Sequence, residues 1–95
     1  MTLTQLKYVL AIAKAGTINA AAKQLFISQP TLSSAVKELE AELGISLFNR
    51  TSKGVEPTAD GEEFLSYARQ VVMQTDLIEE RYLGTAPSKQ RFCVS

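Results

Sequence analysis

The segment AAAKQLFISQPTLS occupies residues 20–33 and predicts two helices joined by a short turn. Its three consecutive alanines present small side chains, so a helix over residues 18–25 lets another backbone pack closely against it. Ser28 is a typical N-cap, and Pro30 falls in the first turn of the next helix, where its missing N–H costs nothing. We therefore predict a longer helix over residues 29–43.

The helix predicted over residues 29–43 has an apolar face and a polar face. At about 100° per residue, the apolar stripe consists of Leu32, Val36, Leu39 and Leu43. The opposite face consists of Pro30, Ser34 and Lys37, with Thr31 and Ser33 on its flanks and Gln29 at the tip. Small polar side chains let this face approach a partner closely, and the free N–H groups of a helix N-terminus favour phosphate.

A further helix is predicted before this pair. Residues 4–15 place Leu6, Val9, Leu10 and Ala13 at the spacing of one helical face. Thr4 is the expected N-cap, and Gly16 follows in the position that a left-handed cap prefers. The short helix 18–25 has Thr17 as its expected N-cap, with Asn19 as the alternative.

Residues 45–58 predict two short strands joined by a basic turn, RTSKG, which contains Arg50 and Lys53. Pro57 restricts the second strand to an edge. Three helices followed by such a hairpin form a mainly α, winged helix-turn-helix fold. In this fold the third helix enters the major groove of DNA, and the wing reaches flanking phosphates or the minor groove.

Residues 59–84 predict one long helix of about 26 residues, or ~39 Å. Its apolar stripe has the alternating four- and three-residue spacing of a heptad seam and consists of Phe64, Ala68, Val71, Thr75, Ile78 and Tyr82. Nothing in the first 58 residues is obviously large enough to cover the whole seam. A second copy of the helix can cover it, so we predict a homodimer.

The composition argues against an enzyme and against a zinc site. The 95 residues include no histidine and one cysteine, Cys93, which leaves no Ser-His-Asp triad, Cys–His pair or cysteine cluster. We interpret the carboxylates of the long helix as its solvated face. No apolar run approaches the ~20 residues of a membrane span, and the N-terminus has no targeting pattern, so we expect a cytoplasmic protein without a membrane partner.

The neutral net charge conceals a segregation along the chain. Residues 1–37 contain four lysines and no acidic residue, whereas residues 56–80 contain seven acidic residues and one arginine, Arg69. A basic front and an acidic back suit a protein that presents one face to a polyanion.

The motifs that extend outward from residues 20–33 closely resemble the N-terminal DNA-binding domain of LysR-type bacterial transcriptional regulators. The matching positions beyond that segment are Leu39-Glu40, Leu43-Gly44, Leu47-Phe48, Arg50, Thr58 and Gly61. The resemblance implies a DNA-binding domain over residues 1–58, a linker and dimerisation helix over 59–84, and a hinge leading into an effector-binding domain over 85–95. Family members are about three times as long, so we expect a small-molecule effector to bind a domain beyond these residues. The resemblance also allows a tetramer for the full-length protein. No cofactor is expected within residues 1–95.

The expected function is sequence-specific binding of double-stranded DNA. We predict base contacts from Gln29, Pro30 and Thr31 and backbone contacts from Ser33, Ser34, Lys37, Arg50 and Lys53. Three positions depart from the family pattern. Ser34 stands where arginine is common, Pro57 where leucine is common, and Asp60 where alanine is usual. Pro57 is expected to shorten the second strand of the wing. The alternative is a helix-turn-helix used only for protein–protein association.

Overall fold

The computed structural model describes residues 1–83 as four helices and one two-stranded sheet. In chain order the elements are α1 (Leu3–Ala15), α2 (Ile18–Leu25), α3 (Gln29–Leu43), β1 (Phe48–Thr51), β2 (Gly54–Pro57) and α4 (Ala59–Tyr82). The predicted winged helix-turn-helix with a long following helix is therefore confirmed. The hinge expected over residues 85–95, with Cys93, lies outside the described residues.

Side-chain caps fix where the helices begin. The Thr17 hydroxyl accepts a hydrogen bond from Ala20 N–H at 3.0 Å, which makes Thr17 the N-cap of α2, as predicted. Helix α1 begins earlier than predicted, because Thr2 and not Thr4 is its N-cap. The Thr2 hydroxyl accepts from Gln5 N–H at 3.1 Å, and the Gln5 side chain accepts from Thr2 N–H at 3.0 Å. This reciprocal capping box outweighs the single cap that Thr4 offered.

Glycines end α1 and α3 in the left-handed conformation. Gly16 has φ +85° and Gly44 has φ +73°, a region in which a side chain would be strained. The long helix α4 ends at Tyr82, two residues before the predicted limit, and Leu83 forms its C-cap.

Helix α1 packs against α2, α3, α4 and β2. The core consists of Val9, Ile12, Ala21, Ala22, Leu32, Val36, Leu39, Leu47 and Leu65. Ala21 and Ala22 are buried, as expected for a helix of small residues that supports α3. The buried face of α1 differs from the predicted one, since it contains Ile12 in place of Leu10 and Ala13. Ile12 is fully buried, whereas Leu10 and Ala13 are only partly buried, because neighbours lie on several sides of this helix.

The wing is a tight antiparallel hairpin. Arg50 pairs with Val55, and Thr51 pairs with Gly54, so the turn contains only Ser52 and Lys53. The sequence placed Arg50 in the turn, and the structure corrects this to strand β1. The shortening expected from Pro57 does not occur, because Pro57 ends β2 opposite Phe48 and both strands have four residues.

The predicted seam of α4 is divided between this chain and solvent. Ala68 is only 2% exposed and Phe64 is partly buried against the core, so the surface that either could offer a partner is small. This corrects the predicted seam, in which both were assigned to dimerisation, and the reason is that the first turns of α4 pack against α1. Val71, Ile78 and Tyr82 are exposed, and Thr75 is half-buried.

Gly61 lies in the first turn of α4, directly against the backbone of Leu47. A Cβ at Gly61 would clash with the Leu47 carbonyl oxygen. Replacing a helical glycine by alanine normally stabilises a helix by about 1 kcal/mol. Here we expect Gly61→Ala to lower the free energy of unfolding by about 1–3 kcal/mol, because the main chain must shift to relieve the overlap.

Thermal unfolding followed by circular dichroism measures this effect. Ser66→Ala is the matched control, since Ser66 is exposed on the same helix and the substitution should leave Tm unchanged or slightly raised, because alanine is the better helix former. A Tm for Gly61→Ala equal to or above that of the wild type would contradict the close approach.

Candidate nucleic-acid interface

The N-terminal end of α3 is exposed and locally well defined. The Ser28 hydroxyl accepts a hydrogen bond from Thr31 N–H at 3.2 Å and lies 2.8 Å from the Thr31 hydroxyl. These hydrogen bonds orient Thr31 at the start of the helix. Gln29 and Pro30 are exposed beside it, so the three residues predicted to contact bases lie together at one tip.

The solvent-facing side of α3 extends from this tip. Ser34 and Lys37 are exposed, whereas Ser33 is half-buried on the flank. A shallow recess on this face is lined by Pro30, Thr31, Ser34, Ala35 and Glu38. The sequence analysis did not single out Glu38. Its spacing of four residues from Ser34 does indicate that the two side chains share one face of α3. A carboxylate here opposes contact with phosphate and can accept a hydrogen bond from a cytosine amino group.

The wing is fastened to the loop between α1 and α2. Val55 N–H donates a hydrogen bond to the Gly16 carbonyl oxygen at 2.9 Å. Gly54 has φ +144°, and a Cβ there would clash with the Gly16 carbonyl and the Thr17 side chain. Only glycine permits this approach, so the wing is positioned by the helix-turn-helix itself.

This attachment forms a groove between the wing, the start of α2 and the tip of α3. The groove, termed the wing cleft, is lined by Thr17–Asn19, Gln29 and residues 50–55. It therefore brings together Gln29, Arg50 and Lys53, although more than twenty positions separate Gln29 from the two cations in the sequence. Ser34 and Lys37 lie on the α3 face and are not among the residues that line it.

The wing cleft is suited to hold a phosphate group. Arg50 and Lys53 supply positive charge, and no acidic side chain is among the described residues that line the cleft. The first N–H groups of α2, those of Ile18 and Asn19, have no acceptor within the helix and lie at its positive end. The sequence suggested Asn19 only as an alternative cap, and the structure shows it exposed in the cleft. Asn19 lines the cleft because Gly54 lies against the Gly16 carbonyl, a contact that no local sequence pattern indicates.

Metal-binding clusters and membrane-spanning helices are both absent from residues 1–83. This range holds no group of three or more histidine, cysteine or acidic side chains arranged to bind a metal ion. It also contains no helix that is long and apolar enough to span a membrane.

The comparison with known families identifies the chain. A family model described as "Bacterial regulatory helix-turn-helix protein, lysR family" matches residues 3–62, more than half of the sequence. The chain belongs to the LysR family. The transcriptional regulator ClcR of Pseudomonas putida is 44% identical over 81 residues, and AlsR of Bacillus subtilis is 43% identical over 94 residues. These matches cover 85% and 99% of the chain but only 28% and 31% of the two relatives, so the chain spans less than a third of their length.

Solved structures of LysR regulators share the fold. The DNA complex of the CbnR DNA-binding domain is 42% identical with a TM-score of 0.80, and the match covers 85% of this chain and 93% of the other. The complex of the BenM DNA-binding domain with the benA site 1 DNA is 36% identical with a TM-score of 0.81, covering 85% and 94%. The chain is therefore a winged helix-turn-helix DNA-binding domain of a LysR-family transcriptional regulator.

The cations of this LysR domain should control the salt dependence of DNA binding. Removal of one phosphate contact lowers the slope of log Kd against log salt concentration by about one unit. We expect Lys37→Ala, Arg50→Ala and Lys53→Ala each to weaken binding to all sequences and to lower this slope. Fluorescence anisotropy with random duplex DNA at several salt concentrations measures it.

Lys7→Ala is the control, because Lys7 is an exposed lysine on α1 that lies neither on the α3 face nor among the residues that line the wing cleft. Its slope should equal that of the wild type. Unchanged slopes for the Lys37, Arg50 and Lys53 variants alike would place the DNA on another surface.

Proposed function

We propose that this domain reads DNA through two linked surfaces, the tip of α3 in the major groove and the wing cleft on the adjacent backbone. The observation that supports this division is the juxtaposition of Gln29 with Arg50 and Lys53 in one cleft. A phosphate held by the cleft would set the depth and angle at which the tip enters the groove. Backbone contacts position a protein on DNA, and base contacts specify the sequence.

The residues of the α3 tip and face take different roles in this proposal. Gln29 carries an amide that pairs bidentately with adenine N6 and N7, and Pro30 with Thr31 provides contact for a thymine methyl group. Ser33, Ser34 and Lys37 donate to phosphates farther along the helix. Because Ser34 is shorter than the arginine common in the family, the wing cleft carries a larger share of the backbone contacts.

Gln29→Ala should weaken binding to a specific site by about 1–3 kcal/mol and binding to random DNA much less. The specific site is obtained by selecting binding sequences from a random duplex library with the wild-type chain. Gln24→Ala is the matched control, since Gln24 is also exposed but lies on α2 outside the cleft.

An equal loss on both kinds of DNA would show that Gln29 only positions the backbone. Selection of no sequence by the wild type would instead favour a helix-turn-helix used only for protein association, and the proposal of DNA reading would fail.

We further propose that the exposed stripe of α4 pairs with a second copy of the chain. Val71, Ile78 and Tyr82 are 47%, 58% and 75% exposed, and Tyr67, at 61%, lies on the same side of the helix. Tyr67 was not part of the predicted seam and takes the place that Ala68 and Phe64 leave. Two such helices would hold two copies of the winged helix-turn-helix, here termed the reading heads, at a fixed separation. The two DNA half-sites would then lie about one helical turn of DNA, ~34 Å, or a multiple of it apart.

Ile78→Glu should split this dimer, because pairing would bring two like carboxylates into an apolar contact. Leu77→Glu is the matched control: Leu77 is 52% exposed but lies about 100° around the helix. Sedimentation velocity at micromolar concentration should give a dimer for the wild type and Leu77→Glu and a monomer for Ile78→Glu. A monomeric wild type, or a dimeric Ile78→Glu, would remove the α4 stripe as the interface.

For the whole protein, we propose a transcriptional regulator whose effector binds a domain outside residues 1–95, with a tetramer as a possible assembly. We expect such a regulator to act in the bacterial cytoplasm, where it would meet chromosomal DNA. The composition of the chain supports binding and not catalysis as its activity, since no pairing of a nucleophile with a histidine base is possible in the sequence.

A further inference from the structure

Three hydrogen bonds from two helices converge on the backbone of Ser46 and Leu47. The Glu40 carboxylate of α3 accepts from Leu47 N–H at 2.7 Å. Thr58, the N-cap of α4, donates from its N–H to the Leu47 carbonyl at 3.0 Å and from its hydroxyl to the Ser46 carbonyl at 2.6 Å. We term these four residues, Glu40, Ser46, Leu47 and Thr58, the junction, since they join α3 to α4.

The junction is closely packed as well as hydrogen-bonded. The Leu47 side chain is fully buried, and Gly61 of α4 approaches the Leu47 carbonyl so closely that a Cβ would overlap it. The Thr58 hydroxyl also accepts from Gly61 N–H at 2.8 Å. A rotation of α4 relative to α3 must therefore break hydrogen bonds or force backbone atoms together.

Glu40 occupies a position that is locally unfavourable for an acidic residue. It lies in the last turns of α3, where the carbonyl end of the helix dipole favours cations, and the last turn carries no basic residue. Its side chain compensates by satisfying the Leu47 N–H, a half-buried donor that would otherwise have no partner in this arrangement. The cost within α3 is thus offset by a contact between elements.

We propose that Glu40 is a positioning residue that fixes the angle between the DNA-reading head and α4, and thereby fixes the half-site spacing that a dimer accepts. This inference rests on the proposed function, namely on DNA reading by a dimer paired through α4. Glu40 itself need not contact DNA in this role.

Because α4 is long, a small change in the angle between the reading head and α4 moves the far end of the helix a large distance. The helix has 24 residues and extends about 36 Å. A rotation of roughly 10° at the junction would displace its far end by about 6 Å, nearly two base-pair steps of DNA. An unconstrained junction would let the two heads reach several spacings, whereas a fixed one selects a single spacing.

The test compares three duplexes derived from the site that the wild-type chain selects from random DNA. They are the selected site, the same site with two base pairs inserted between its halves, and one half-site alone. The ratio of affinities for the first two, the spacing ratio, reports the angle between head and helix. The half-site affinity reports the integrity of the head.

We expect Glu40→Ala to lower the spacing ratio about tenfold, the effect of losing one charge-assisted hydrogen bond, and to change half-site affinity less than about threefold. Glu40→Gln keeps an acceptor and should recover most of the ratio. Glu42→Ala is the control, because it removes the same charge from the same helix while Glu42 bonds the N-terminal amine instead of the junction. Its ratio should match the wild type.

Thr58→Val removes the hydroxyl that reaches Ser46 from the other side and should lower the spacing ratio as Glu40→Ala does. This variant, with Glu40→Gln, decides the question if Glu40→Ala proves too unstable to measure. Wild-type spacing ratios in both Glu40→Ala and Thr58→Val, or losses as large on the half-site as on the full site, would overturn the positioning role. A wild type that selects a sequence but shows no spacing preference would overturn the dimer as well, and no selection at all would overturn DNA reading.

Discussion

The packing of α1 at the centre of the fold is the constraint on which the other elements depend. Its buried face contacts α2, α3, α4 and β2, and Ile12 at its middle is fully buried. A chain of this size forms one small core, so the helices cannot be stabilised independently of one another. The exposed tip of α3 is fixed because Leu32, Val36 and Leu39 on its opposite side belong to that core. The position of the proposed DNA-reading surface is thus a consequence of where α1 places the apolar side of α3.

Local chemistry made most of the helical fold predictable. Thr17, Ser28 and Gly44 mark helix ends through hydrogen bonds or a left-handed backbone that depend on a few neighbouring residues. The start of α1 was misplaced because two threonines compete there, and the reciprocal bond from Gln5 decides between them. The inward side of α1 was misjudged for a different reason: a helix with neighbours on several sides buries more than one stripe, so periodicity alone does not orient it.

The candidate site was predictable by residue type but not by arrangement. Gln29, Arg50 and Lys53 were identified separately from a helix tip and a basic hairpin. Their meeting in the wing cleft depends on Gly54 lying against Gly16, a contact between positions far apart in the sequence. Asn19 enters the cleft through the same contact. The division of the α4 seam was hidden likewise, since a heptad pattern gives no indication of which turns pack against the same chain and which remain exposed.

The wing owes its position to attachments at both ends. Its tip is held by the Val55–Gly16 hydrogen bond, and its base by the bonds of Glu40 and Thr58 to residues 46 and 47. A two-stranded hairpin is marginally stable alone, so these attachments give it a defined orientation before DNA arrives. Ordering that is completed in the free protein does not have to be supplied by the binding energy. The same two attachments join the wing to the loop before α2 and to the start of α4, and a shift of either would therefore move the cations of the wing cleft relative to Gln29.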